Sequence, residues 1–355
     1  MLRMRRLGTL SSMISLLAVF SMLLTACGGG TGGGGNPPAN NVKTVALVTD
    51  IGGLNDQGFN QLANTGYEQA RAKYGFPRAV IETKTQSDYV SNLTRAAQSS
   101  DLVIGVGFLM ATALDQVARA NPTKKFALID SCATDAKGNC DPLPNVAPLY
   151  FREEQAGCLV GAVAGQMELD GKAKVPKLLG HNTIAAVGGV KIPPVDHYIA
   201  GYKFCAQKVD PNVQVIYNYS QSFDDTAKCK DVALSQINQH QADIIFQVAG
   251  GCGIGALQAA DEKGVYGIGV DKDQASVNKS IITSALKRVD QAVSNTITAF
   301  ESGKYSNNPA AFDLKSDGVG YATPSSDVPA DAKTAADNLI AQIKSGALSI
   351  PNTVP

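Results

Sequence analysis

The chain has 355 residues, 44% of them hydrophobic, and its 31 basic and 31 acidic residues cancel. That is enough apolar material for about two ordinary domains. The charges are dispersed without a block of one sign, which excludes a nucleic-acid surface and points to a small partner.

In chain order, Arg3, Arg5 and Arg6 precede an apolar run from Leu7 to Leu24, so residues 1–26 read as an export signal. Leu24, Thr25 and Ala26 resemble the lipobox of bacterial lipoproteins, which makes Cys27 the expected acylated N-terminus. Loss of the three arginines leaves a mildly acidic mature chain. Residues 27–42, largely "GGGTGGGGNPPANN", carry nothing able to pack and read as a flexible tether to the extracytoplasmic face of the cell membrane.

From there short apolar runs alternate with helical patterns. "TVALVTD", "DLVIGVG", "KFALID", "TIAAVGG", "VQVIYNY", "ADIIFQVAG", "VYGIGVD" and "IITSAL" are continuous rather than alternating, as strands buried on both faces of a parallel sheet should be. The segments 61–74, 90–99, 111–120, 226–239 and 255–263 place apolar residues at helical spacing. These βα units predict an α/β protein of two doubly wound domains. In "FREEQAGCLVGAVAGQM", Gly157, Gly161 and Gly165 share one helix face; Arg152, Glu153 and Glu154 ahead of them and the shortness of the run favour close packing on the sheet over a membrane helix.

Ligands of open parallel sheets bind beyond the carboxyl ends of strands. Asp50, Asp130 and Asp271 close three of the predicted strands and Lys287 follows a fourth, charges without local partners whose recurrence predicts a shared polar site. A single such Asp often serves as a helix N-cap.

Several stretches, "VALVTDIGGLNDQGFNQ", "FREEQAGCLVGAVAG", "GGVKIPPV", "SFDDTAKCK", "DIIFQVAGGCGIGALQAADEKG" and "GIGVDKDQ" with "TSALKRVD", resemble successive motifs of the basic membrane protein family, the PnrA-like lipoproteins. The resemblance runs over roughly residues 42–300 and implies a fold like the type I periplasmic binding proteins, with no cofactor and with a hinge between domain one, expected over 43–150 and 287–310, and domain two, expected over 151–286 and 311–355. It implies capture of purine nucleosides for an ABC transporter, with the permease and ATPase as partners, a lipid anchor as the only membrane contact, and a monomer. By the same resemblance Asp50 reaches into the nucleoside pocket, Phe59 stacks on the base and Asn60 belongs to the motif. Asp130 reaches the ribose, Phe223 covers the other base face, and Gly250, Asp271 and Lys287 complete the ribose contacts. The chain departs from the family pattern at Gly58, where Ser is usual, at Cys252, where Thr is common, and at Tyr198 and Tyr202, which replace phenylalanines. Tyr198 is an alternative second stacking residue, although its helical spacing after "IPPV" also suits the core.

Two other readings weigh against this one. Gly251, Gly253 and Ala256, with Asp271 twenty residues on, imitate a dinucleotide fingerprint and with it an NAD-dependent enzyme, yet the motif lies late in the chain. A protein of the same shape that binds a sugar or signalling molecule would use similar aromatics and carboxylates. Hydrolase, P-loop and zinc-protease motifs are missing, so an enzyme is not expected. His181, His197 and His240 are isolated and no C-x-x-C occurs, so a metal site is not expected either. Six cysteines follow Cys27; a first disulfide is expected between Cys132 and Cys140 across a polar loop, with scattered buried thiols as the alternative, and the sequence does not choose among the fifteen pairings six cysteines allow.

Overall fold

The computed structural model describes residues 43–354; the export signal, Cys27 and the tether lie outside the described residues. The first half of the chain builds β1 (Val45–Val48), α1 (Phe59–Tyr74), β2 (Val80–Ile81), α2 (Tyr89–Ser99), β3 (Leu102–Gly105), α3 (Ala111–Ala120), β4 (Lys125–Ile129) and β5 (Val146–Leu149). The strands form one parallel sheet in the order β2-β1-β3-β4-β5. Side chains alternate along its strands: Val45 and Leu47 pack with α1, while Ala46 and Val48 pack with α2 and α3. Both faces are covered, which is why β1 reads as an unbroken apolar run.

The chain then crosses into α4 (Glu153–Lys174), β6 (Thr183–Gly188), α5 (Pro193–Val209), β7 (Gln214–Tyr219), α6 (Thr226–His240), β8 (Ile244–Val248), α7 (Gly253–Lys263), β9 (Tyr266–Asp271) and β10 (Ile281–Lys287). It returns as α8 (Val289–Glu301), which packs on α1, and crosses a third time to β11 (Val319–Tyr321) and α9 (Ala330–Ser345). The second sheet runs β11-β10-β9-β8-β6-β7, parallel except for β11 against β10. Phe246 faces α5, where it meets Tyr202, and Ile245 faces α6 and α7.

Helices α4 and α5 run alongside each other in the same direction, with Gly157, Gly161 and Gly165 facing Tyr198, Tyr202 and Ala206. A Cβ at Gly157 would lie 2.1 Å from the Tyr198 carbonyl oxygen, and one at Gly161 would lie 2.2 Å from that of Tyr202. The glycine stripe therefore packs on α5 and not on the sheet as expected, in a seam stapled by a disulfide between Cys158 and Cys205. Among the described residues no helix is long and apolar enough to cross a membrane. The expected disulfide Cys132–Cys140 is present, and a third joins Cys229 to Cys252.

Candidate functional site

All eight sequence-predicted site residues, Asp50, Phe59, Asn60, Asp130, Phe223, Gly250, Asp271 and Lys287, line one cavity between the two sheets. The space it outlines is about 600 Å³ with its mouth and adjoining solvent included. In the first sheet the strand order reverses beside β1, and Asp50 follows that strand. Gly107, after β3, stands against it with φ 108°, and a Cβ there would lie 2.3 Å from Asp50 Oδ2. Only glycine fits both demands.

The loop between β1 and α1 is built around two buried side chains. Asp56 accepts from the backbone N–H groups of Gly58, Asn60 and Gln61, so it caps α1 and holds Phe59 at the first turn of the helix. Asn60 receives the Asp50 N–H at 2.9 Å on its amide oxygen and donates to the Ile51 carbonyl at 3.1 Å. Its amide thus braces the backbone that carries Asp50. The helix-cap role open to any of these acids belongs to Asp56; the Asp50 carboxylate instead accepts from Tyr89 Oη and the Ile51 N–H. Phe223, from the loop before α6, lies over Gly189 at the end of β6, so aromatic rings from both sheets reach the cavity.

The charges expected to lack partners are in fact partly paired. Lys287 Nζ lies 2.7 Å from the Asp130 carboxylate and 2.9 Å from Glu153 Oε1, with Lys287, Asp130 and Glu153 all nearly fully buried. The rings of Phe151 and Phe59 flank the ammonium at 4.9 and 5.1 Å. Glu153, at the start of α4, was legible in the sequence only as polarity ahead of an apolar helix; its partner is 134 residues away. Tyr198 is buried, as a core aromatic would be, yet its hydroxyl also donates to Asp271 at 3.3 Å. Gly58 does not line the cavity, and a Cβ there would lie 3.4 Å from Asp271 Oδ2.

Carboxyl groups outnumber cations here, and burial shifts them accordingly. Burial pushes Asp50 up to about 6 against the pull of Tyr89 and Ile51. It pushes Asp130 up to about 6, with Lys287 opposing, and Asp271 up to about 7. Burial would also raise Glu153, but Lys287 and His197 hold it below the usual carboxylate range. For Lys287 burial works toward deprotonation and is outweighed by Asp130 and Glu153, so the ammonium stays charged.

In the dinucleotide-like stretch Gly251 lines the cavity, while Gly253 and the neighbouring Gly255 have packing roles. A Cβ at Gly253 would meet Gln247 Oε1 at 1.8 Å, and one at Gly255 would meet the Thr226 carbonyl of α6 at 1.9 Å. Cys252 is in a disulfide rather than facing a ligand. Among the described residues one group of three possible metal donors occurs, Glu153, Glu154 and His197, but Glu153 is occupied by Lys287 and His197, so the group is an ion-pair network.

Two doubly wound units joined by three crossings, with a polar and aromatic cavity between them, define a two-lobed solute-binding protein. Residues 43–353 match the family described as ABC transporter substrate-binding protein PnrA-like. The chain belongs to this family: it is a substrate-binding protein of the ABC-transporter type and not an enzyme, and its partners are a small molecule and a transporter. It is 29% identical over 308 residues, covering 79% of this chain and 82% of the relative, to the ABC transporter nucleoside-binding protein BmpA of Lactococcus lactis subsp. cremoris. It is 33% identical over 290 residues, covering 78% and 68%, to an uncharacterized lipoprotein of Pyrococcus horikoshii. Among solved structures, a solute-binding protein of an ABC transporter system from Aeropyrum pernix K1 superposes with a TM-score of 0.78 at 26% identity, covering 88% of this chain and 94% of that one.

Proposed function

We propose that the protein captures purine nucleosides between two closing lobes, residues 43–150 with 287–310 and residues 151–286 with 311–355, and delivers them to the permease and ATPase of its transporter. The observation that carries this reading is the pair Phe59 and Phe223, which reach one cavity from opposite sheets alongside Asp130, Asp271 and Lys287. A purine presents two π-faces, and a ribose presents hydroxyls suited to paired acceptors and donors. Both faces are covered only when the lobes are together, which couples stacking to closure. The nucleoside-binding relative supports the reading. Asp50, Asn60 and Gly250 complete the expected contacts, with Asn60 acting through the Asp50 loop. A thioether-linked lipid and palmitate on Cys27 would anchor a monomer to the outer face of the cell membrane, as the lipoprotein name of a relative suggests.

Native mass spectrometry of the purified protein, with any retained ligand identified, tests the proposal. Recovery of a purine nucleoside is expected; a sugar, a dinucleotide or another solute would replace it.

A further inference from the structure

His197 does not line the cavity, yet its Nδ1 lies 3.0 Å from Glu153 Oε2. With 25% of its side chain exposed, it is the most exposed of Asp130, Glu153, Lys287 and His197, whose other side chains are 6% exposed or less. The Glu153 carboxylate is thus divided, one oxygen to His197 and the other to Lys287, and Lys287 continues the chain to Asp130 at the cavity wall.

This chain of contacts sits where the two halves of the molecule join. Glu153 opens α4 directly after the first crossing, and Lys287 ends β10 directly before the second. Phe151, whose ring lies 4.9 Å from the ammonium, stacks at 4.9 Å on Phe312 of the third crossing, and the Arg152 N–H donates to the Phe312 carbonyl at 2.9 Å. All three crossings therefore meet around one buried ammonium.

We propose that His197 and Glu153 are positioning residues for ligand capture, setting from the solvent side how Lys287 is shared between the crossings and the cavity. The inference rests on Lys287 serving the ligand as proposed above. When His197 is neutral, the charge of Glu153 acts on Lys287 alone and draws the ammonium toward α4. When His197 is protonated, Glu153 is shared between two cations and Lys287 is freer to serve Asp130 and a bound hydroxyl. Protonation of His197 should therefore favour binding.

The imidazole faces Glu153 and Glu154 from α4, Lys287 from β10 and Asp130 from the end of β4. Its neighbour Asp196 is turned to Lys191 and Tyr219. Burial would depress the imidazole's pKa, but Glu153 and then Glu154 outweigh it and hold it above the ordinary value, against the opposition of Lys287.

The test uses the full mature protein, whose three histidines can be resolved by carbon-13 labelling and NMR titration. Without any ligand, Glu153→Gln should lower the pKa of His197, and Lys287→Met, by removing a like charge, should raise it. His197→Gln keeps a hydrogen-bonding side chain that does not titrate. In calorimetry with guanosine and adenosine, wild-type affinity divided by that of His197→Gln should be about threefold to tenfold larger at pH 6 than at pH 9, the scale of one charge contact in a partly buried site. A ratio that stays flat with pH overturns the proposal, as does a His197 pKa unmoved by both Glu153→Gln and Lys287→Met. If the NMR shifts appear while neither nucleoside binds the wild type, the nucleoside reading fails and the His197–Glu153–Lys287 link stands. The same ratio is then measured with the ligand found by mass spectrometry, and a flat profile overturns the proposal there too.

Discussion

Asp130 and Asp271 end strands of different sheets in the same left-handed backbone conformation, φ 72° and 64°, and line the same cavity. Such a conformation costs most side chains about 1–2 kcal/mol, and Asn and Asp tolerate it best. Its occurrence at two facing strand ends marks backbone held for a purpose beyond folding. Asp271→Ala is expected to lower stability by roughly 1 kcal/mol more than Asp271→Asn in a denaturant melt. Asp130→Ala and Asp271→Ala are both expected to erase the preference for nucleoside over free base, because ribose donors would be left poorly paired. Titration with adenosine, adenine and ribose reads this out, and an intact preference would count against the ribose assignment.

Phe59→Ala is expected to weaken purine nucleosides about tenfold to a hundredfold, from roughly 1–3 kcal/mol of stacking per aromatic face. Calorimetry with guanosine and adenosine checks it, and unchanged affinity would remove Phe59 from the site.

The cavity acids predict a proton balance. Their folded values, about 6 for Asp50 and Asp130 and about 7 for Asp271, lie above the ordinary 3.8. The unliganded fold therefore holds protons that the unfolded chain has released, and its stability should decline as pH rises from about 4 through 7. Hydroxyl donors favour the ionised carboxylates, so in His197→Gln, where no imidazole takes up a proton, binding near pH 6–7 should release protons and weaken as pH falls through that range. Calorimetry in buffers of different ionisation enthalpy gives the sign; net proton uptake would contradict it.

Gly157→Ala and Gly161→Ala should each destabilise the protein by at least about 1–3 kcal/mol, because the new Cβ meets backbone oxygen that cannot swing aside. Gly320→Ala, with no atom within 4 Å of its Cβ, serves as the neutral control. Equal melting of all three would show that α4 and α5 can separate without cost.

Much of the fold was legible in the sequence because central strands buried on both faces must be apolar without interruption. All eight runs read as strands are strands. The three that escaped, β2, β5 and β11, are edge strands: β2 has two half-buried residues, β5 contains Pro148 and β11 has three residues. Short or proline-interrupted edge strands leave no such run, whereas β7, an edge strand of six residues, still shows one. The strand-end acids were visible because each closes an apolar run, whereas Glu153, Tyr89 and His197 act through partners 39 to 134 residues away in sequence, which no local pattern encodes.

All six cysteines among the described residues are paired, so thiol titration in denaturant should find none of the six until reductant is added. Six reactive thiols would refute the pairing.

Among the described residues no disulfide joins one sheet's lobe to the other. Cys132–Cys140 closes a loop two residues beyond Asp130, Cys229–Cys252 ties α6 to the turn that carries Gly250, and Cys158–Cys205 binds α4 to α5. In the proposed capture cycle these bridges therefore stiffen each lobe and leave the closing motion unrestrained. Reduction should blur the gripping surfaces without changing how far they can open, so redox damage would be felt as lost selectivity before lost movement.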